Sequence, residues 1–129
     1  MRLRFGKNER LKSQKLLQAV FDNGAALTVY PLKLLYLTLP EADITHSQMG
    51  VMVGKKKFKR AVDRNRVKRM IREAYRLNKH FIFNNIEGKY AFLILYIGND
   101  LPTLETVEKA MVSLIDKLII VEKNEKADS

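Results

Sequence analysis

Arg64, Asn65, Arg66, Lys68, Arg69, Arg72 and Arg76 are the residues of this sequence whose types and spacing suit them to chemistry. A guanidinium grips two phosphate oxygens with one planar fork. An amide set among such forks can donate to a phosphate or a ribose hydroxyl and can also accept. All seven lie between Lys55 and Lys79, a segment with twelve Lys or Arg against two acids, Asp63 and Glu73. Its local charge of +10 equals the formal charge of the whole chain, so the remaining residues sum to zero. A charge concentrated in one block points to a polyanionic partner rather than to general solubility.

The block has a direction because its middle has helical period. At about 100° per residue, Val67, Met70, Ile71, Ala74 and Leu77 share an apolar arc expected to pack on a sheet. Arg64, Asn65, Lys68, Arg69, Arg72, Arg76 and Lys79 take the opposite side. Asp63 falls on the apolar side, which suits a carboxylate capping free N–H groups at the helix N-terminus. Like charges spaced i,i+4 repel by a few tenths of a kcal/mol each, so the column Arg64, Lys68, Arg72, Arg76 costs stability in the free protein. That cost makes sense if a polyanion neutralises the column.

Hydrolytic chemistry by the protein itself lacks its residues. General acid–base work needs a proton-transfer pair, and metal-assisted hydrolysis needs clustered ligands. The two histidines, His46 and His80, have no partner at such spacing, and the acids are mostly single. There is no cysteine, hence no disulfide framework, thiolate metal site or cysteine nucleophile. No catalytic residue and no protein metal site is expected, and the chain is read as a binder.

The elements that must hold the basic helix follow from composition and pattern. At 129 residues and 47% hydrophobic, the chain is long enough for one domain with a real core. Ser13 to Phe21 reads as a helix stopped by Asn23-Gly24. Ala25 to Tyr30 and Leu32 to Leu39 read as strands, and Pro31 between them makes the first an edge or bent strand. Met49 to Val53 is a third strand. Tyr90 to Ile97 is apolar on both faces, as a central strand covered on both sides would be. Thr103 is a good N-cap for a last helix with apolar residues at Leu104, Val107, Met111, Leu114 and Leu118. The order α-β-β-β-α-β-α gives an α+β class, an α/β sandwich on a four-stranded mixed sheet. Residues 1–122 form a single domain, and 123–129 read as a frayed tail. The longest apolar run is far shorter than a membrane span, so the expected location is cytoplasmic, with no membrane partner.

At Ala61 to Tyr75, AVDRNRVKRMIREAY, the sequence closely resembles the bacterial ribonuclease P protein family, whose hallmark is Arg-Asn-Arg leading a basic, apolar-patterned helix. Arg10-Leu11-Lys12 followed by Leu17-Gln18-Ala19-Val20-Phe21 and Gly24 looks like the family's first helix. Met49 to Lys56 looks like its third strand and turn, and the similarity spans residues 8–118. The resemblance implies a fold like the second domain of ribosomal protein S5. It implies two partners, a large catalytic RNA and precursor tRNA, and no small-molecule ligand. Mg²⁺, held mainly by the RNA and substrate, is the implied cofactor for removal of the 5′ leader. The helix residues Arg64, Asn65, Arg66, Lys68, Arg69, Arg72 and Arg76 would contact the catalytic RNA. A cleft between the first helix and the sheet would receive the leader, using Phe21, Tyr36, Leu17 and Met52, with Arg10 and Lys15 nearby. Leu17 stands where family members often carry an aromatic residue, a departure that weakens stacking there. Lys55, Lys56, Lys57, Lys59 and Arg60 would form a basic loop near RNA. The alternative is a non-catalytic RNA-binding protein, such as a ribosomal protein of similar fold, which would share the basic face without the adjoining cleft.

Overall fold

Ser13 opens helix α1, Gln14–Asn23, by accepting a hydrogen bond from the Leu16 amide at 3.2 Å. The computed structural model describes residue 11, residues 13–39 and residues 47–127, without the side chains of Phe83, Lys126 and Ala127. At Gly24 the chain leaves α1 for strand β1, Ala25–Val29, with the carbonyls of Val20 and Tyr36 so close that a Cβ there would collide with backbone. The other strands are β2, Leu32–Thr38; β3, Gln48–Val53; and β4, Tyr90–Tyr96. Between β3 and β4 run helices α2, Ala61–Leu77, and α3, Lys79–Asn85; the last helix, α4, is Leu104–Ala127.

The strands form one sheet in the order β1-β2-β4-β3. β1 and β2 pair antiparallel, β2 and β4 antiparallel, and β3 and β4 parallel, so the sheet is mixed as the sequence implies. β1, next to Pro31, is an edge, paired among the described residues with β2 alone; the Tyr30–Pro31 peptide is cis. β4 lies between β2 and β3, which explains its run of buried residues on both faces.

Alternation divides the strand residues between two cores. Leu32, Leu34, Met49, Val53, Phe92, Ile94 and Tyr96 face α2 and α4, meeting Val67, Ile71, Ala74 and Tyr75 from α2 and Val107, Met111 and Leu114 from α4. Leu35, Ala91 and Leu93 face the other way and pack with Leu11 and with Val20 of α1. Leu32, Met49, Ile71, Leu93, Met111 and Leu114 are less than 2% exposed. Each such side chain contributes about 1.5–3 kcal/mol of apolar burial. The result is a sandwich, with α1 on one side of the sheet and α2 and α4 on the other.

Three details depart from the sequence reading. Asn78 interrupts the basic helix, and Lys79, read on its outward arc, is instead buried as the first residue of α3. Leu77, assigned to the packed arc, is 43% exposed at the end of α2, and Tyr75 is buried instead. The residues from Lys123, read as a tail, continue α4 to Ala127. Glu122 is buried and its carboxylate accepts from the Glu87 amide at 2.8 Å, the Gly88 amide at 3.2 Å and the Tyr90 hydroxyl at 2.5 Å. That clamp gives the end of α4 a reason to persist. Thr103 caps the other end as expected, accepting from the Thr106 amide at 3.2 Å.

Candidate nucleic-acid interface

The apolar stripe of α2 fixes where its charges point. Val67, Ile71, Ala74 and Tyr75 are buried, which leaves Asn65, Arg66 and Arg69 exposed and Lys68 and Arg72 partly so. Arg66, Lys68 and Arg69 make no hydrogen bond or ion pair among the described residues, so their charges are available to a ligand. Asp63 sits in the first turn, where its charge complements the helix dipole, but the N-cap is Arg60 and receives no side-chain bond.

Arg64 and Arg76, both expected contact residues, are already engaged within the fold. Arg64 reaches back from the first turn of α2, and its Nη1 donates to the carbonyls of Phe58 at 2.7 Å and Lys59 at 2.9 Å. Arg76 forks onto Glu73, with Nε to Oε2 at 3.0 Å and Nη2 to Oε1 at 2.6 Å. The Arg76 hydrogen bond holds the Glu73 carboxyl below its usual range, and the same bond raises the Arg76 guanidinium.

The basic loop is an ordered turn. The amides of Lys57 and Phe58 both point to the Gly54 carbonyl, at 3.2 and 3.4 Å. Phe58 is buried with its ring 5.7 Å from that of Tyr96. Lys57 donates through Nζ to Asn99 Oδ1 at 2.8 Å, tying the turn to the loop after β4. Lys55, Lys56, Lys59 and Arg60 remain exposed on this frame.

On the α1 side of the sheet, one row is covered at its centre, at Leu35 and Leu93, and the next is open. The register puts Ala26, Leu35, Leu93 and Gly50 side by side, and a Cβ on Gly50 would lie 3.3 Å from the Leu11 side chain. Two residues along each strand, Thr28, Lys33, Leu95 and Met52 make the adjacent row on the same face. Thr28 and Met52 are exposed, and Lys33 and Leu95 are partly so. Leu17 and Phe21 stand one helical turn apart on one flank of α1, Leu17 partly buried and Phe21 44% exposed. Lys15 is exposed on the same helix, and Arg10 lies outside the described residues.

Tyr36 does not join this group. Strand alternation puts it with Leu32 and Leu34 on the α2–α4 side, where it packs on the main core and meets Tyr90 edge-on, ring centroids 6.0 Å apart. Burial raises its hydroxyl pKa, helped by the charge of Glu125. The sequence reading grouped Tyr36 with Phe21 and Met52, but the sheet lies between them. Register, absent from a single sequence, decides the face. Lys33 and Leu95, which the sequence reading passed over, occupy the open row instead.

Among the described residues, no group of three or more His, Cys, Asp or Glu comes together, and no helix is long and apolar enough to cross a membrane.

Fold and site together define a class, a small α/β sandwich with a one-sided cationic helix in one layer and an open row of sheet beside the helix of the other. The family model described as Ribonuclease P matches residues 5–119 of the chain. A ribonuclease P protein component of Porphyromonas gingivalis is 44% identical over 108 residues, which cover 81% of this chain and 79% of that protein. The RNase P protein of Staphylococcus aureus shares the fold with a TM-score of 0.69 at 21% identity, over 88% of this chain and 97% of that one. The RNase P protein from Thermotoga maritima gives 0.68 at 22% identity, over 84% and 96%. This chain belongs to the ribonuclease P protein family.

Proposed function

We propose that the chain is the protein subunit of ribonuclease P, binding the catalytic RNA through α2 and the 5′ leader of precursor tRNA along the open row beside α1. The observation that carries this reading is the basic helix led by Arg64-Asn65-Arg66, with Asn65, Arg66 and Arg69 exposed, in a chain that matches the family over residues 5–119. Arg66, Lys68, Arg69 and Arg72 take phosphates of the RNA, while Asn65 between them offers an amide to a phosphate or 2′-hydroxyl. The leader lies against Leu95 and Met52, stacks on Phe21, and has Lys15 and Lys33 to meet its backbone. Stacking on an aromatic face accepts any base, which suits leaders of varied sequence.

The chain's part in the reaction is to bind and to orient. Mg²⁺ bound by RNA and substrate supplies the activation of water for hydrolysis of the phosphodiester. The protein side chains hold leader and RNA in register and lower the repulsion between two polyanions. The expected location is the cytoplasm, where precursor tRNA is processed. A cleavage assay on precursor tRNA tests the reading, with protein alone, RNA alone at low Mg²⁺, and both together. Activity only with both present, or strong stimulation of the RNA, supports it. Cleavage by protein alone overturns it, and no stimulation favours a ribosomal-type RNA binder.

A further inference from the structure

The first arginine of the Arg64-Asn65-Arg66 run is built differently from the second. Arg66 is exposed and makes no hydrogen bond among the described residues. Arg64 is partly buried, and its Nη1 donates to two backbone carbonyls, those of Phe58 and Lys59. These carbonyls belong to the turn that carries Lys55, Lys56, Lys59 and Arg60. The turn has no side-chain cap where it enters α2, because the N-cap Arg60 supplies none. Its other ties are the buried Phe58 ring against Tyr96 and the Lys57 bond to Asn99. The Arg64 guanidinium is a side-chain tie that joins the turn to the basic helix itself, beside the bond of its own amide to the Arg60 carbonyl at 3.2 Å.

We propose that Arg64 is a positioning residue. It locks the basic turn onto α2, so that Lys56 and Lys59 meet the RNA in a fixed arrangement, and its own charge is not a phosphate contact. This rests on the reading that the chain binds the catalytic RNA. The physical gain is pre-organisation. Lysines on a loose turn lose conformational freedom when they bind, whereas lysines on a fixed turn have already lost much of it. With Nη1 committed to the two carbonyls, the end-on Nη1–Nη2 fork is closed, so of the two forks a guanidinium can offer a phosphate Arg64 keeps the side-on one alone.

The test is a double-mutant cycle in equilibrium binding of the intact chain to a ribonuclease P RNA, measured across a range of salt. The variants are Arg64→Ala, the pair Lys56→Ala with Lys59→Ala, and all three together. Arg64→Ala is expected to weaken binding about tenfold in the otherwise native chain, the size of losing a charge-assisted hydrogen bond. In the lysine-free background it should weaken binding no more than about twofold, because the group it positions is gone. Amide exchange should quicken across residues 55–60 while β4 stays protected.

Losses that simply add, with Arg64→Ala flattening the salt slope by a further unit or so in the lysine-free background, would make Arg64 a direct phosphate contact and overturn the proposal. Should Arg64→Ala loosen β4 as well, Arg64→Lys gives the answer. It keeps the charge without the fork, so RNA binding equal to native would overturn the positioning role, and binding as weak as the alanine variant supports it. Native binding by the lysine pair also overturns the proposal, while leaving the α2 face intact. Failure of the native chain to bind the RNA would instead remove the functional reading beneath it.

Discussion

The Tyr90 hydroxyl donates to Glu122 Oε2 at 2.5 Å, joining the first residue of β4 to the last turns of α4 across 32 residues of chain. The same carboxylate holds the amides of Glu87 and Gly88, so one acidic side chain closes the turn before β4 and anchors the end of the helix. Removing it would strand three buried or partly buried donors. Glu122→Ala should therefore cost about 2–4 kcal/mol in urea unfolding. Glu122→Gln should cost less, since its amide oxygen still accepts. A loss below about 0.5 kcal/mol for the alanine variant would mean that the clamp is not formed in solution.

Alkaline pH should expose the same contact. Burial, then the hydrogen bond to Glu122, raises the Tyr90 pKa well above its ordinary 10.0, and burial also raises Tyr36 and Tyr96. In the unfolded chain these phenols ionise near their ordinary value, while in the fold they keep their protons. The stability they contribute is fully present below about pH 10 and is lost as pH rises from there toward the folded values. Unfolding free energy should fall from about pH 10 upward, and Tyr90→Phe should flatten that decline. An equally steep decline in Tyr90→Phe would assign it to other groups.

Glu73 limits how far the basic face of α2 extends. Its carboxylate takes both ends of the Arg76 fork and is held ionised below its usual range, so the pair survives until pH falls through that lowered value. Glu73→Gln should remove the one acid from the outward face of α2, tighten RNA binding several-fold and steepen its salt dependence. Arg66→Ala and Arg69→Ala should do the reverse, each flattening the slope by about one unit. Unchanged slopes in all three variants would place the RNA elsewhere.

What the sequence made legible was whatever burial imposes at short range. The inward stripe Val67, Ile71, Ala74 has helical period because one side of α2 must leave water, and the outward charges follow from it. β4 was legible because a strand covered on both faces has no polar face to show. The face of Tyr36 was not. β2 reads Leu-Lys-Leu-Leu-Tyr-Leu-Thr, with apolar residues on both sides, so only pairing with β1 and β4 settles which way each residue turns. The tether at Arg64 and the clamp at Glu122 were equally hidden. A charged residue in a basic helix reads as part of its outward, ligand-binding face, and the partners of Glu122 lie 32 to 35 residues away in the chain. α3 is seven residues long, too short for its period to stand out beside Asn78.

That division between faces separates two aromatic residues the sequence had joined, and it gives the sharpest test of the proposed leader site. Phe21 is 44% exposed on the flank of α1, so its ring can lose a base without the core losing a contact. Phe21→Ala should change unfolding free energy by no more than about 0.5 kcal/mol, as surface substitutions do. In the assembled enzyme it should weaken binding of leader-bearing precursor by about 1–3 kcal/mol, the value of one stacked base, and leave mature tRNA almost untouched. Tyr36→Ala should behave in the opposite way. It removes a ring packed on Tyr90 within the main core, so about 2–4 kcal/mol of stability should be lost. Folded Tyr36→Ala enzyme should keep the native preference for precursor over mature tRNA. Equal losses on both RNAs for Phe21→Ala would remove stacking from the leader site, and a lost preference in Tyr36→Ala would put the leader on the wrong side of the sheet.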